Sequence, residues 1–294
     1  MAPAALIDGT LVNPVLVHLV SREDIFTAER LQPTESQKWT LIVGGIFLAL
    51  FIMYPFGRYI LYPFEVSSVP SAFSSLSHSL RILTSQMLNT ALHEFCHAFV
   101  AVLTCSKVHA IELNPNASGA THFAKSGGKL TEILIDSAGY VGSALIGACL
   151  VFCGFNIVAS KGATIGLGVI FVITLFWARK DWITWVTCLA ASGLIVGCWL
   201  IDHAKPLRFF ILLLGIMSCS WSLKDTYDII RGRTNGTDAH NLAETVGGSP
   251  KVWAFLWTFI SLSGMAGAIC LALLVWKDTD EKMWQDSQKF LPTR

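Results

Sequence analysis

Long runs of apolar residues constrain this chain more than any other feature of its sequence. A helix needs about 20 apolar residues to cross the hydrocarbon core of a bilayer, and this chain has several such runs separated by short polar connections. Only 14% of its 294 residues are charged, whereas a soluble globular domain carries about 25%. The segments that predict membrane-spanning helices are 39–54, 79–104, 131–159, 162–178, 182–201, 207–223 and 252–276.

These segments predict an all-α membrane protein, a polytopic helical bundle of about seven transmembrane helices. The chain then divides into an N-terminal tail (1–38), a membrane domain (39–276) and a C-terminal tail (277–294) that is charged and expected to face solvent. The first twenty residues have no basic leader, so they do not indicate a cleavable signal peptide. The lipid bilayer is therefore the expected partner of most of the chain.

Net charge and cysteine usage argue against two other classes of protein. The formal net charge is +1, so the sequence gives no indication of a nucleic-acid partner. The eight cysteines lie in or beside apolar segments and form no Cys-x-x-Cys pair. They therefore predict small buried side chains rather than a disulfide framework.

Two of the polar connections, 106–130 and 224–251, are long enough to hold structure of their own. Alternation of the predicted spans places both on the same side of the membrane as the N-terminal tail. Lysine and arginine are somewhat denser on that side, so the positive-inside rule predicts that it faces the cytosol. Asn116 and Asn235 match the N-glycosylation pattern, but we expect both to be unmodified on a cytosolic face.

The second predicted span carries a His-Glu-x-x-His motif made by His93, Glu94 and His97. Residues four apart on a helix project from the same face, so the two histidines can share one metal ion. Glu94 lies beside them, where a carboxylate can act as general base toward a water molecule that zinc activates. A charge at the centre of a membrane helix costs about 2.5–3.5 kcal/mol, so three ionisable residues there indicate function. The alternative is a helix whose polar residues hydrogen-bond across the bundle without a metal.

Residues 90–99, which contain the motif, are similar to the core pattern of zinc metalloproteases. Their position in a membrane segment resembles the site-2 protease family of intramembrane proteases, specifically the B-type branch of fungi, plants and bacteria. The similarity covers about 89–250 and continues, in the family's order, in the short segments 119–123, 137–143, 222–225 and 236–244.

The resemblance implies that a distant aspartate is the third zinc ligand, and Asp238 occupies the matching position. The chain departs from the better-known site-2 pattern, in which this aspartate is followed by glycine within a proline-containing motif. Asp225 and Asp228 are the alternative ligands, and Asp238 could instead cap a short helix. His122 and His240 rank below Asp238, because a lone histidine beside a turn is usually a polar loop residue.

The resemblance also implies an activity, that of a zinc-dependent intramembrane endopeptidase that hydrolyses peptide bonds of membrane-anchored proteins. Glu94 would be the general base, and His93, His97 and Asp238 would hold the zinc. A zinc-binding membrane scaffold or receptor-like protein without proteolytic activity is the first alternative. A transporter with an intramembrane metal site is a weaker one, because no broken-helix repeat is apparent.

The loop after the motif helix predicts a small β-hairpin. Turn signals separate two short segments, 108–113 and 120–124, that could form strands. The resemblance implies a sheet here that receives an unwound substrate by strand addition. An ordinary loop is the alternative.

Overall fold

The computed structural model describes residues 5–7, 10–12, 31–65, 85–114, 118–124, 127–232 and 236–292. Asn116 and Asn235, the start of the second predicted span and most of the N-terminal tail lie outside these residues. The strands are β1 Ala5–Ile7, β2 Thr10–Val12, β3 Lys107–Leu113 and β4 Gly119–Ala124. The helices are α1 Glu35–Glu65, α2 Ser85–Leu103, α3 Lys129–Cys153, α4 Ile157–Trp177, α5 Trp182–Leu200, α6 Lys205–Ile230, α7 Asp238–Val246, α8 Pro250–Val275 and α9 Asp280–Lys289.

Six helices of the described chain are long and apolar enough to cross a membrane: α1, α3, α4, α5, α6 and α8. The apolar part of the motif helix α2, Met87–Leu103, is shorter than these six. The side chains on the outside of the bundle include many large apolar ones, such as Phe259 and Val172, as expected where lipid replaces water. The chain is therefore an integral, multi-pass membrane protein, and the predicted helical bundle is confirmed.

Two predicted span boundaries differ from the structure because of particular hydrogen bonds. The predicted span 131–159 is divided between α3 and α4. Asn156 accepts a hydrogen bond from the backbone nitrogen of Ala159 at 3.0 Å and caps α4, so a new helix begins there. The sixth span continues beyond residue 223 to the end of α6, because its polar residues find partners inside the bundle. Thr226, for example, lies 2.8 Å from the hydroxyl of Thr258 on α8.

The predicted hairpin forms: β3 and β4 pair as an antiparallel sheet. Asp181, at the turn between α4 and α5, ties this sheet to the bundle. Its carboxylate accepts hydrogen bonds from the backbone nitrogens of Ile183 and Thr184 at the start of α5, and from that of Leu113 in β3 at 2.8 Å. The hairpin is therefore held against the end of the bundle from which α3 begins. The shorter hairpin of β1 and β2 was not predicted.

Helix α1 enters the bundle from the end opposite to the β3–β4 hairpin. The side-chain amide of Gln37 donates to the carbonyls of Ala272 and Trp276, at 3.2 and 2.7 Å, where α8 ends. Ser36 lies 3.0 Å from Arg208 in the first turn of α6, so α1 and α6 run in the same direction. The prediction that the N-terminal tail enters on the side of the two long loops is therefore wrong. Alternation assumes one crossing per predicted span, whereas these long-range contacts set the direction of α1.

The C-terminal tail, which the sequence predicts to face solvent, contains a helix that packs on the bundle. Met283 and Ser287 of α9 are buried. The ammonium group of Lys161, on α4, is fully buried and donates to the carbonyls of Ser287, Phe290 and Leu291 at 2.8, 3.1 and 3.0 Å. The prediction of an exposed tail is therefore wrong for the face of this helix that contains Met283 and Ser287, because a buried cation binds the carbonyl groups at the C-terminal end of the helix.

Replacing Lys161 with methionine is expected to loosen α9. The change leaves the carbonyl groups at the end of α9 without their donor, which costs about 1–3 kcal/mol for a buried polar group. Trypsin should then cut the detergent-solubilised protein faster at Lys282 and Lys289, and the unfolding temperature should fall. Lys180→Met, at an exposed lysine, is the control. Equal cleavage rates for the two variants would contradict the proposed anchoring.

Candidate metal centre

Three side chains from two distant parts of the chain meet at one point. His93 Nε2 and His97 Nε2 of α2 are 3.1 Å apart, and Asp238 Oδ2 of α7 lies 2.9 and 3.0 Å from them. Among the described residues, these three are the histidine, cysteine or carboxylate side chains that lie close enough together to hold a metal ion. The structure thus brings together the motif histidines and the aspartate that the resemblance selects.

The donor set and its spacing fit zinc. Two imidazoles and one carboxylate are a usual protein ligand set for a catalytic zinc site, which keeps a further position open. Ligand atoms about 2.1 Å from a tetrahedral zinc lie about 3.4 Å from one another. The observed separations of 2.9–3.1 Å are shorter by a few tenths of an ångström, a difference that small side-chain rotations remove.

Each histidine is held in the orientation that a ligand needs. His97 Nδ1 lies 2.6 Å from the carbonyl oxygen of Ile135, so the ring donates there and its Nε2 is directed at His93 and Asp238. His93 Nδ1 is buried without a hydrogen-bond partner among the described residues. The ring of His93 is instead positioned by Tyr140, which meets it edge-on with the centroids 5.1 Å apart. Tyr140 itself is fixed by stacking on Trp257 and by donating to Asp225 at 2.9 Å.

Gly139 of α3 provides the space that the two imidazoles occupy. A Cβ atom built on Gly139 would lie 2.3 Å from His97 Nε2 and 2.5 Å from His93 Nε2. Such distances are well inside van der Waals contact, so no other residue fits here without movement. The sequence alone indicates only close helix packing for this glycine.

Asp238 lies in the first turn of α7 and is not its cap. Thr237 is the N-cap, and its hydroxyl accepts from the backbone nitrogen of His240 at 3.3 Å, so the capping alternative for Asp238 does not hold. Burial opposes ionisation of Asp238, but the adjacent His97 and His93 outweigh it and hold the pKa of Asp238 well below its ordinary value. The carboxyl group is therefore in the ionised form that a metal ligand requires.

Glu94 lies beside the three candidate ligands at the wall of a cavity. One carboxylate oxygen, Oε2, accepts a hydrogen bond from the hydroxyl of Thr121 in β4 at 2.7 Å. The cavity has a volume of about 370 Å³ and lies between α2, β4 and α7. Glu94, His97 and Asp238 all line it, so a substrate in this space would reach the motif.

The alternative ligands from the sequence lie outside the group. The imidazole of His122 is 3.5 Å from Glu112, and that of His240 is 3.2 Å from Glu244. Asp225 accepts the hydroxyl of Tyr140, and Asp228 lies 3.7 Å from the ammonium of Lys224. Asp225 thus supports the site indirectly, through Tyr140. The roles of Tyr140, Gly139 and Thr121 were not assigned from the sequence, although all three lie in segments that carry the family resemblance.

Comparison with known proteins identifies the family. A model of the Peptidase M50B-like family matches residues 66–268, about two thirds of the chain. Searches of curated proteins and of solved structures found no match. The matched range includes α2, the β3–β4 hairpin, α7 and all three candidate ligands. The chain therefore belongs to the Peptidase M50B-like family and is a member of the site-2 protease group of membrane metalloproteases.

Proposed function

We propose that this protein is a zinc-dependent intramembrane endopeptidase that cuts membrane-anchored proteins. One observation carries the proposal above the others. The Nε2 atoms of His93 and His97 and an oxygen of Asp238 lie within 3.1 Å of one another, and the carboxylate of Glu94 lines the same cavity. Three ligands with an adjacent carboxylate make up the catalytic set of a zinc peptidase.

The residues would divide the work between metal binding and proton transfer. His93, His97 and Asp238 would hold the ion. When bound, zinc lowers the pKa of water toward 7 and polarises the carbonyl of a peptide bond. Glu94 would accept a proton from the attacking water and deliver it to the leaving amide nitrogen.

The β3–β4 hairpin supports a route by which a substrate reaches this site. The carbonyl groups of a transmembrane helix are hydrogen-bonded inside the helix, so the substrate must unwind before hydrolysis. Within the described chain β4 pairs with β3 on one edge only, and residues of β4 such as Gly119 and Ala120 line the cavity. An extended substrate segment could pair with the free edge of β4 and so lie across Glu94.

Zinc analysis of the purified protein tests the proposal directly. We expect about one zinc ion per chain in the wild type and strong losses in His97→Ala and Asp238→Ala. Removal of a direct ligand should weaken binding by more than the 10–100-fold that is typical of outer-shell changes. Asp228→Ala, at a carboxylate of α6 outside the group, is the matched control and should retain the metal.

The possible results separate different parts of the proposal. Wild-type protein without stoichiometric zinc would overturn the whole scheme. Full retention of zinc in Asp238→Ala would remove only the third ligand.

A further inference from the structure

Strand β4 approaches the candidate general base closely enough to control its orientation, and we infer that Thr121 and Gly119 position Glu94 for proton transfer. Thr121 fixes one carboxylate oxygen, and Gly119 keeps the space beside the other oxygen open. This inference rests on the proposed function, because it assigns a role in proton transfer to the two residues.

Thr121 restrains the carboxylate through a short hydrogen bond. Its Oγ1 lies 2.7 Å from Oε2 of Glu94 and 3.0 Å from the backbone oxygen of the same residue. A hydroxyl group has one hydrogen to donate, and an ionised carboxylate is the stronger acceptor. The hydrogen bond therefore goes to Oε2. The backbone contact brings β4 against α2 at the level of the motif.

Gly119 leaves room beside the second oxygen. A Cβ atom on Gly119 would lie 2.6 Å from Oε1 and 2.6 Å from Cγ of Glu94. Residues two apart on a strand face the same side, so Gly119 and Thr121 both face Glu94. Any side chain at position 119 would fill the space next to Oε1, which is the oxygen that Thr121 does not engage.

The two contacts together give the carboxylate oxygens different tasks. Oε2 is held by the hydroxyl of Thr121, and Oε1 is left beside the cavity to accept a proton. Glu94 has several rotatable bonds, so an unrestrained side chain would sample orientations that cannot reach the reacting water. A catalytic group needs its orientation fixed by neighbouring residues, and here the strand that lines the substrate cavity provides that restraint.

Activity measurements on two Thr121 variants test the inference. Thr121→Val keeps the shape but removes the donor, whereas Thr121→Ser keeps the donor. The substrates are synthetic membrane-spanning peptides in detergent micelles, with the cut located by mass spectrometry. We expect Thr121→Val to lower kcat about 10–100-fold, with KM and zinc content unchanged, and Thr121→Ser to stay within about threefold of the wild type. An unchanged kcat in Thr121→Val, or an equal loss in both variants, would overturn the inference.

Gly119→Ala tests the second contact and has a matched control. Its methyl group should displace Glu94 and lower kcat at least about tenfold while zinc remains bound, because the three atoms nearest to that group all belong to Glu94. Gly128→Ala places a methyl group where nothing lies within 4 Å, and it should retain wild-type kcat. Equal kcat values for Gly119→Ala and Gly128→Ala would contradict the role of Gly119.

A measurement that does not depend on proteolysis separates this inference from the proposed function. We expect the melting-temperature shifts of Thr121→Val and Glu94→Ala not to add in the double variant, because each substitution by itself removes the same hydrogen bond. Additive shifts would show that the bond is absent and would overturn the inference alone. The shifts could be non-additive while the wild-type protein cleaves none of the peptides. That result would support the contact but overturn the proposed function, and with it the catalytic role of the contact.

Discussion

Replacing Glu94 with glutamine is expected to abolish proteolysis while the protein keeps its zinc. Glutamine has nearly the same shape as glutamate and can still contact Thr121, but its amide cannot accept a proton. General-base catalysis contributes about 10²–10⁴-fold to the rate, so cleavage of a membrane-spanning peptide should fall by at least about 100-fold. The candidate metal ligands are His93, His97 and Asp238, so the zinc content should be unchanged.

The control for this variant is Glu112→Gln, which changes an exposed carboxylate of β3 that lies 3.5 Å from His122. Wild-type activity is expected in this control. The comparison also distinguishes a protease from a zinc-binding scaffold, since a scaffold would keep its cellular role in Glu94→Gln. Undiminished cleavage by Glu94→Gln would rule out Glu94 as the general base.

Replacing Gly139 with alanine is expected to remove the metal although no ligand residue is replaced. The added methyl carbon would lie 2.3 Å from His97 Nε2 and 2.5 Å from both Cε1 and Nε2 of His93. Either the two imidazoles turn away, or α3 moves back from α2 and takes α7 with it, because Ala239 and Leu242 of α7 pack in one cluster with Tyr140 of α3. Both responses separate the three ligand atoms, so we expect zinc content and peptide cleavage each to fall at least about tenfold.

The matched control is Gly166→Ala, a substitution of the same kind in α4. A Cβ atom at Gly166 would meet nothing within 4 Å, so zinc content and activity should remain those of the wild type. Size-exclusion chromatography of both variants shows whether the Gly139→Ala protein remains folded. A folded Gly139→Ala protein with one zinc ion per chain would show that the close contact relaxes without cost to the site.

The motif and the helical bundle could be predicted from the sequence because both depend on local patterns. Hydropathy over about 20 residues decides whether a helix can cross a bilayer, and a spacing of four residues places His93 and His97 on one helix face. The boundaries were less predictable. The capping hydrogen bond of Asn156 and the interhelical partners of Thr226 decide where α4 begins and where α6 ends.

Asp238 shows the limit of sequence reasoning within the site. Family resemblance selects this residue, but the local sequence also allows a helix cap at Asp238, or Asp225 or Asp228 as the ligand. The folded chain brings Asp238 to within 3.0 Å of both histidines, although it is separated from His97 by 141 residues. Only the packing of α7 against the bundle places Asp238 beside the two histidines.

The sequence by itself determined that this is a multi-pass membrane protein with two histidines and a glutamate on its second apolar segment. The tertiary structure alone decided the direction of α1, the docking of α9 on Lys161, and the placement of Gly139 and Thr121 against the motif. The physical reason is how far apart in the sequence the residues involved lie. Hydropathy and helix periodicity act within one segment, whereas direction, docking and close approach depend on contacts between residues that are distant in the chain.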